Sequence, residues 1–263
     1  MMPNLFDIVC YPDEQHSVNL NLGKLDVKKP LSIKCRIKNF VDLEILLCLV
    51  AALRKHDFYI ENIQFVYLFG MRADRSFSND DCNYFRDVLA PIINGLNISE
   101  VYVFAPHNET VLNYIKGHIR DIYINFPDGY YLWGDSSSCF LKKSLPLSES
   151  IAHSFMGSFD KKRENGAISI AIKNDSLERL KNIGNPNSPI IIMDDLCDAG
   201  GTFIAEAQYL RDVCGVKNPL HLFVAHGLFT KGLEPLLQYF DKIIYTNSYQ
   251  DIVHPKVNQI QAI

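Results

Sequence analysis

No stretch of the 263 residues carries the roughly 18 consecutive apolar side chains that a membrane-crossing helix needs. The start, Met1-Met2-Pro3-Asn4, has neither the basic nor the apolar block of a secretion signal. A soluble, cytoplasmic protein with no membrane partner is therefore expected. Positive charge is also short: 26 Lys and Arg stand against 30 Asp and Glu, for a formal net charge of −4. That leaves no broad basic field for a polyanion, so no nucleic acid is expected as partner. Cysteines at metal-site spacing are missing too. Cys10, Cys35, Cys48, Cys82, Cys139, Cys197 and Cys214 are scattered, with no C-x-x-C pair. Such scatter excludes a zinc site or a disulfide framework and fits a reducing compartment. There is no low-complexity linker and no short-period repeat. What the chain does have is ample apolar residue, 48%, for one large or two modest cores.

One stretch organises the rest, Ser188-Pro189-Ile190-Ile191-Ile192-Met193-Asp194-Asp195-Leu196-Cys197-Asp198-Ala199-Gly200-Gly201-Thr202-Phe203-Ile204. The run Ile190–Met193 is too short for a helix, and its β-branched residues suit a strand buried on both faces. An acidic turn follows, with Asp194, Asp195 and Asp198, and then Gly200-Gly201-Thr202 opens an amphipathic helix over Phe203–Val213. Asp-Asp before Gly-Gly alone is satisfied by a solvated turn. Strand, acidic turn, glycines and helix start together have the geometry of an anion site. Glycine lets backbone approach a phosphate, and the unpaired N–H groups of the helix start point at it. Carboxylates repel phosphate, so their task is to hold ribose hydroxyls, directly or through a divalent cation. The same carboxylates raise the pKa of Cys197, which makes that thiol inert.

Along the chain, residues 1–30 read as irregular, with at most one short strand around Leu5–Cys10. Ile33–Ile37 alternates as a strand, and Val41–Leu53 reads as a buried helix capped by Asn39. Phe65–Phe69 is a strand whose end delivers Gly70-Met71-Arg72-Ala73-Asp74-Arg75. Tyr84–Asn94 reads as a helix, and Ser99–Phe104 as a strand ending at Ala105-Pro106-His107-Asn108. Ile122–Asn125, Tyr130–Trp133 and Ala167–Ile172 are further strands, the second leading into Gly134-Asp135-Ser136-Ser137-Ser138. Asp160-Lys161-Lys162-Arg163, flanked by glycines, reads as a mobile charged loop. Strand His221–Ala225, a helix at Glu234–Tyr239, strand Lys242–Tyr245 and a polar tail complete the chain. Strands alternating with helices predict an α/β fold of mostly parallel, doubly wound sheets. Charged strand ends fall in both halves, which predicts two similar domains, 1–122 and 123–263, with the active site between them.

The central stretch resembles the phosphoribosyl-pyrophosphate loop, Asp-Asp-x-x-Asp-Thr-x-Gly-Thr, of type I phosphoribosyltransferases and ribose-phosphate pyrophosphokinases. From about Lys34 to Tyr249 the chain is similar to the second family. Arg72-Ala73-Asp74-Arg75 resembles its Arg-Gln-Asp-Lys/Arg nucleotide motif. His107 stands at the His of its Asp-Leu-His, and Asp135 at the Asp of its Ser-Pro-Asp-x-Gly-Gly. Asp160–Arg163 resembles its catalytic loop, while Val224–Phe229 and Tyr245–Ser248 resemble two segments flanking the sugar-phosphate site. The resemblance implies a phosphoribosyltransferase-like fold in both domains. It implies transfer of the β,γ-diphosphate of ATP to the anomeric hydroxyl of ribose 5-phosphate, with release of AMP. By the same resemblance Lys161 and Arg163 are catalytic, and Arg72, Asp74, Arg75 and His107 bind ATP. Asp194, Asp195, Asp198, Ala199, Gly200, Gly201 and Thr202 bind the sugar phosphate, His107 and Asp135 hold Mg2+, and the protein is a dimer-based homo-oligomer serving nucleotide and NAD synthesis.

The chain departs from that family at Ala199 (Thr in the family), Ala73 (Gln), Ala105 (Asp) and Ser137-Ser138 (Gly-Gly). The aromatic segment by which a neighbouring subunit covers adenine is not evident. Losing the Thr hydroxyl weakens the grip on a terminal phosphate by roughly 1 kcal/mol, more for a charged bond. A diphosphate-linked acceptor such as ADP-ribose suits the looser pocket, so the same chemistry on ADP-ribose is an alternative. A phosphoribosyltransferase, or a non-catalytic subunit that co-assembles with active synthases, are the others.

Overall fold

The structure is a computed structural model that describes residues 5–74, 76, 81–120, 131–135, 155–164, 167–172, 174–181 and 183–262. The predicted strand Ile122–Asn125, together with Arg75 and Ser136–Ser138, lies outside the described residues. The chain divides into two units, one up to Arg120 and one running on to Ala262.

Unit one opens with an antiparallel hairpin, β1 (Phe6–Cys10) and β2 (His16–Leu20), in register from Phe6↔Leu20 to Cys10↔His16. The sequence predicts only the first of these strands. His-Ser-Val-Asn-Leu is too polar to announce the second, which is fixed by its partner and by the helix beneath. The His16 N–H and Nδ1 contact Glu44 Oε1 and Oε2 at 3.1 and 2.8 Å. That grip holds the Glu44 carboxyl below its ordinary range. The sheet of the unit is parallel, in the order β3 (Leu31–Ile37), β4 (Ile60–Leu68), β5 (Glu100–Phe104), β6 (His118–Arg120).

Ile63, Phe65 and Val103 are fully buried at its centre. Each such side chain contributes about 1.5–3 kcal/mol relative to exposure. Helix α1 (Phe40–Lys55) lays Leu43, Leu46, Val50 and Leu53 onto that core at helical spacing. It begins where the sequence predicts: Asn39 Oδ1 accepts the Asp42 N–H at 3.0 Å, and Asp42 Oδ2 accepts the Lys38 N–H at 2.8 Å. The predicted helix Tyr84–Asn94 is a wide-turned segment, Phe85–Leu89, running into α2 (Ala90–Gly95). A third helix, α3 (Thr110–Ile115), follows β5.

Unit two is built on one sheet in the order β13-β12-β11-β10-β7-β8-β9, parallel except for the last pair among the described strands. Its strands are β7 (Tyr131–Asp135), β8 (Phe155–Glu164), β9 (Ala167–Ile172), β10 (Ile190–Cys197), β11 (Leu220–Gly227), β12 (Lys242–Thr246) and β13 (Val257–Ile260). Helices α4 (Asn174–Lys181), α5 (Gly201–Gln208) and α6 (Glu234–Leu237) accompany them. Ile190, Ile192, Leu220, Leu222 and Val224 bury one sheet face against Phe203, Ala207 and Leu210 of α5 and the wide turn after it. The polar tail expected at the C-terminus contains β13, paired with β12 from Ile243↔Val257 to Thr246↔Ile260. No helix among the described residues is long and apolar enough to cross a membrane.

Candidate active site

After β7 the chain goes to β8 on one side, then returns to place β10 on the other. This reversal makes a crevice at the carboxyl ends of β7 and β10, which is where open α/β sheets bind ligands. The topology alone therefore picks out Asp135, the last residue of β7, and the acidic stretch that ends β10. Their backbones are neighbours, since Met193 pairs with Gly134.

β10 does not stop at Met193, as the sequence predicts. The ladder with β11 runs on through Asp194↔Val224, Leu196↔His226 and Cys197↔Gly227, so Asp194 and Asp195 are strand residues and not a turn. An apolar run marks where both faces are covered, whereas pairing depends on the partner strand, and β11 continues. Asp195 is only 4% exposed, Asp194 half-buried, Asp198 and Ala199 exposed. Asp194 Oδ1 accepts the Asp195 N–H at 2.8 Å. Cys197 is fully buried and its thiol is pushed up to about 12, first by burial and then by Asp198 and Asp194. It stays protonated at neutral pH and is no nucleophile.

The glycine loop is shaped by packing. Gly200 has φ +82°, and a Cβ there would lie 2.8 Å from Leu236 Cδ2. The Ile204 N–H donates to the Gly200 carbonyl at 3.0 Å, so the N–H groups of Gly201, Thr202 and Phe203 precede the helical ladder and remain for an anion. Thr230, in the loop after β11, holds Asp198 twice: its N–H donates to the Asp198 carbonyl at 3.0 Å and its Oγ1 to Asp198 Oδ1 at 2.7 Å. The two segments expected beside this site do gather at the strand ends. His226 Nδ1 lies 2.8 Å from Ser248 Oγ, which donates to the Ala225 carbonyl at 3.1 Å, and both side chains are buried.

The segment expected as a mobile charged loop is strand. Lys161 pairs with Ile170, Lys162 with Ser169 and Arg163 with Ile168. Among the described residues the ladder with β7 runs to Asp135↔Phe159, and residues 160–164 continue beyond it as an arm paired with β9. At about 3.3 Å per residue, Lys161 stands about 7 Å and Arg163 about 13 Å beyond Phe159. The strand that bears them is two places from β10, about 10 Å away.

In unit one the predicted residues fall on two adjacent loops at the carboxyl edge. Gly70–Asp74 follows β4 and Ala105–Asn108 follows β5. Gly70 has φ +79°, and a Cβ there would meet Leu89 Cδ1 at 2.5 Å. Arg72 and His107 are exposed and Asp74 half-buried. Ala105 is buried, with φ +43°. Asn108 Nδ2 donates to Asp74 Oδ2 at 2.6 Å and so ties the two loops together. Asn108 and Thr230 escape sequence reasoning because each is one polar residue in a loop, marked only by following a strand. Among the described residues no three His, Cys, Asp or Glu gather as a metal site.

No protein-family model matches the chain, and no curated protein matches it in sequence. Among solved structures it is similar to phosphoribosylpyrophosphate synthetase from Mycobacterium smegmatis, at 13% identity and a TM-score of 0.70, over 97% of this chain and 85% of that one. Adenine phosphoribosyl transferase from Trypanosoma brucei, solved with AMP, pyrophosphate and ribose-5-phosphate, is a more distant match. There the identity is 19% and the TM-score 0.31, over 52% of this chain and 58% of that one. The first likeness shows the fold, an α/β protein of parallel sheets with phosphoribosyltransferase-like architecture.

Proposed function

We propose that the chain is an ATP-dependent diphosphotransferase acting on a ribose 5-phosphate unit and feeding nucleotide and NAD synthesis. The anomeric oxygen forms a bond to the β-phosphorus of ATP while the bond from that phosphorus to the α,β-bridging oxygen breaks. AMP leaves, and the hydroxyl proton passes to solvent. The observation that carries this reading is the strand-end acid row and glycine-gated helix start at the sheet's reversal point, beside an arm bearing Lys161 and Arg163. The likeness in fold to a phosphoribosylpyrophosphate synthetase supports it.

Residue types fit the chemistry. Asp194 and Asp195 orient ribose hydroxyls, and the backbone from Asp198 through Ala199, Gly200 and Gly201 to Thr202 holds the distal phosphate. Lys161 and Arg163 supply positive charge as it shifts to the leaving oxygen. Arg72 stacks on adenine or pairs with phosphate, with Asp74 and Arg75 beside it in sequence. Mg2+ takes few protein donors, by preference carboxylate oxygens, and fills its remaining positions with water and phosphate oxygens. His107 and Asp135 are each assigned as a single donor, and the ion supplies neutralisation of polyphosphate charge. A dimer-based homo-oligomer and a cytoplasmic setting belong to the same reading.

Thr230→Val keeps the backbone bond to Asp198 and removes the hydroxyl bond. Affinity for ribose 5-phosphate is expected to fall about five- to tenfold by calorimetry, with the melting temperature unchanged, because Thr230 is exposed. Unaltered affinity would remove Asp198 from the sugar-phosphate site.

Ala199 favours a second acceptor. Its exposed methyl stands where the family pattern has a hydroxyl, and a diphosphate-linked sugar, ADP-ribose, suits that loop. Incubation with ATP, Mg2+ and each acceptor, read by mass spectrometry, tests both readings. The expected product is a 1-diphosphate sugar with AMP, and turnover of ribose 5-phosphate alone would remove ADP-ribose. Inert ATP with every acceptor would leave a phosphoribosyltransferase or a non-catalytic subunit.

A further inference from the structure

The hydrogen bond between the two unit-one loops has a fixed direction. Asn108 Oδ1 accepts the Thr110 N–H at the start of α3 at 3.0 Å, so the amide nitrogen must be the end that faces Asp74. The Asp74 carbonyl is held from a different element, accepting from Asn83 Nδ2. Asn83 is 3% exposed and is itself locked: its Oδ1 accepts the Arg86 N–H at 2.9 Å, and its N–H donates to Asp87 Oδ2 at 2.8 Å. Asp74 is thus pinned through its backbone by one Asn and through one carboxylate oxygen by another. The left-handed turn at Ala105 redirects the chain at the end of β5, three residues before Asn108. A carboxylate held by one oxygen keeps the other as an acceptor in a set direction. It repels phosphate, so what it can take from a nucleotide is a donor on the nucleoside, an amine or a hydroxyl.

We propose, resting on the diphosphotransferase reading, that Asn108 is a positioning residue for the nucleotide. It acts through Asp74, turning that carboxylate to accept a hydrogen bond from the nucleoside half of ATP. It also supplies a side-chain link between the two loops where Ala105 has none to offer.

A double-mutant cycle on the full chain tests this. ATP affinity is measured by calorimetry for the wild type, Asn108→Ala, Asp74→Ala and the double variant, with ribose 5-phosphate titrated in parallel. Asn108→Ala is expected to weaken ATP binding roughly five- to tenfold, and Asp74→Ala at least as much. The double variant is expected to be no weaker than Asp74→Ala, because Asn108 has nothing left to orient. Ribose 5-phosphate affinity stays at the wild-type value in all three, and Asn108→Ser, which keeps a short donor, recovers part of the loss. If Asn108→Ala unfolds the loop, Asn108→Ser carries the comparison, with a melting curve as control. Inosine triphosphate and 2′-deoxy-ATP identify the donor: the analogue lacking it no longer distinguishes Asn108→Ala from wild type. Wild-type ATP affinity in Asn108→Ala, or losses that simply add in the double variant, would overturn the role of Asn108 while leaving the diphosphotransferase reading intact. A wild-type chain that does not bind ATP would overturn both.

Discussion

Lys161→Ala is expected to lower the rate of AMP release by about two to three orders of magnitude and to leave the melting temperature where it is. The rate effect follows from the chemistry: removing one charge-stabilising group from a transition state costs about 10²–10³ in turnover. The stability statement follows from topology, since among the described strands residues 160–164 pair with β9 alone, beyond the edge of the sheet. A strand has a period of two, so positions 161 and 163 share one face of the arm and position 162 lies on the other. Arg163→Ala is accordingly expected to match Lys161→Ala, and the pair together to lose less than the product of the two, as groups acting as a unit do. Lys162→Ala is the control, with turnover within about threefold of wild type, since a charge on the far face touches the reaction only through screened Coulomb effects. Steady-state AMP release and thermal melts on the four proteins decide the matter. Equal losses at 161 and 162 would show that charge on the arm, and not its register, is what counts.

Gly200→Ala is expected to destabilise the protein by about 2–5 kcal/mol and to abolish measurable sugar-phosphate binding. Two costs combine. A non-glycine residue at φ +82° costs about 1–2 kcal/mol, and a Cβ 2.8 Å from Leu236 Cδ2 overpacks the contact for about 1–3 more. The helix start moves with that residue, and with it the N–H groups of Gly201 and Thr202 that the anion needs. Leu236→Ala alone opens a cavity and costs about 2–5 kcal/mol. The double variant is expected to fall short of the summed losses by about 1–3 kcal/mol, because the clash is relieved while the backbone strain persists. Chemical denaturation of the three variants measures the coupling. Strict additivity would mean that Leu236 does not press on the loop.

What could be read from the sequence follows from how each element is held. Strands β10, β11 and β12 announce themselves because buried parallel strands are nearly continuous in apolar residues, and β9, antiparallel at the sheet edge, through its alternating isoleucines. Helix α1 announces itself through Asn39 and the Leu43–Leu53 stripe. The arm was hidden, since Asp160-Lys161-Lys162-Arg163 has the composition of a solvated loop. Its strand character comes from β9, where Ile168, Ile170 and Ile172 supply the alternation that β8 lacks. For the same reason β2 and β13 carry no clear strand signal: each is rich in polar residues and sits at a sheet edge, paired on one side among the described strands. Helix α4 escapes sequence reading because Asn174–Lys181 is mostly polar; Ser176 and Leu180 are its buried residues among those described.

The candidate site divides in a similar way. Asp194, Asp195, Asp198 and the glycines are legible because acid and glycine at a strand-to-helix junction have a direct chemical meaning. Thr230 and Asn108 acquire theirs only when the chain brings them to Asp198 and Asp74, 32 and 34 residues away in sequence.

The central claim concerns which phosphorus is attacked, and the nucleotide product reports it. Incubation of the full chain with ATP, Mg2+ and ribose 5-phosphate or ADP-ribose, followed by 31P NMR, is predicted to show AMP appearing in step with a sugar 1-diphosphate and no free phosphate. ADP as the nucleotide product, or ATP unchanged with both acceptors, would contradict the account.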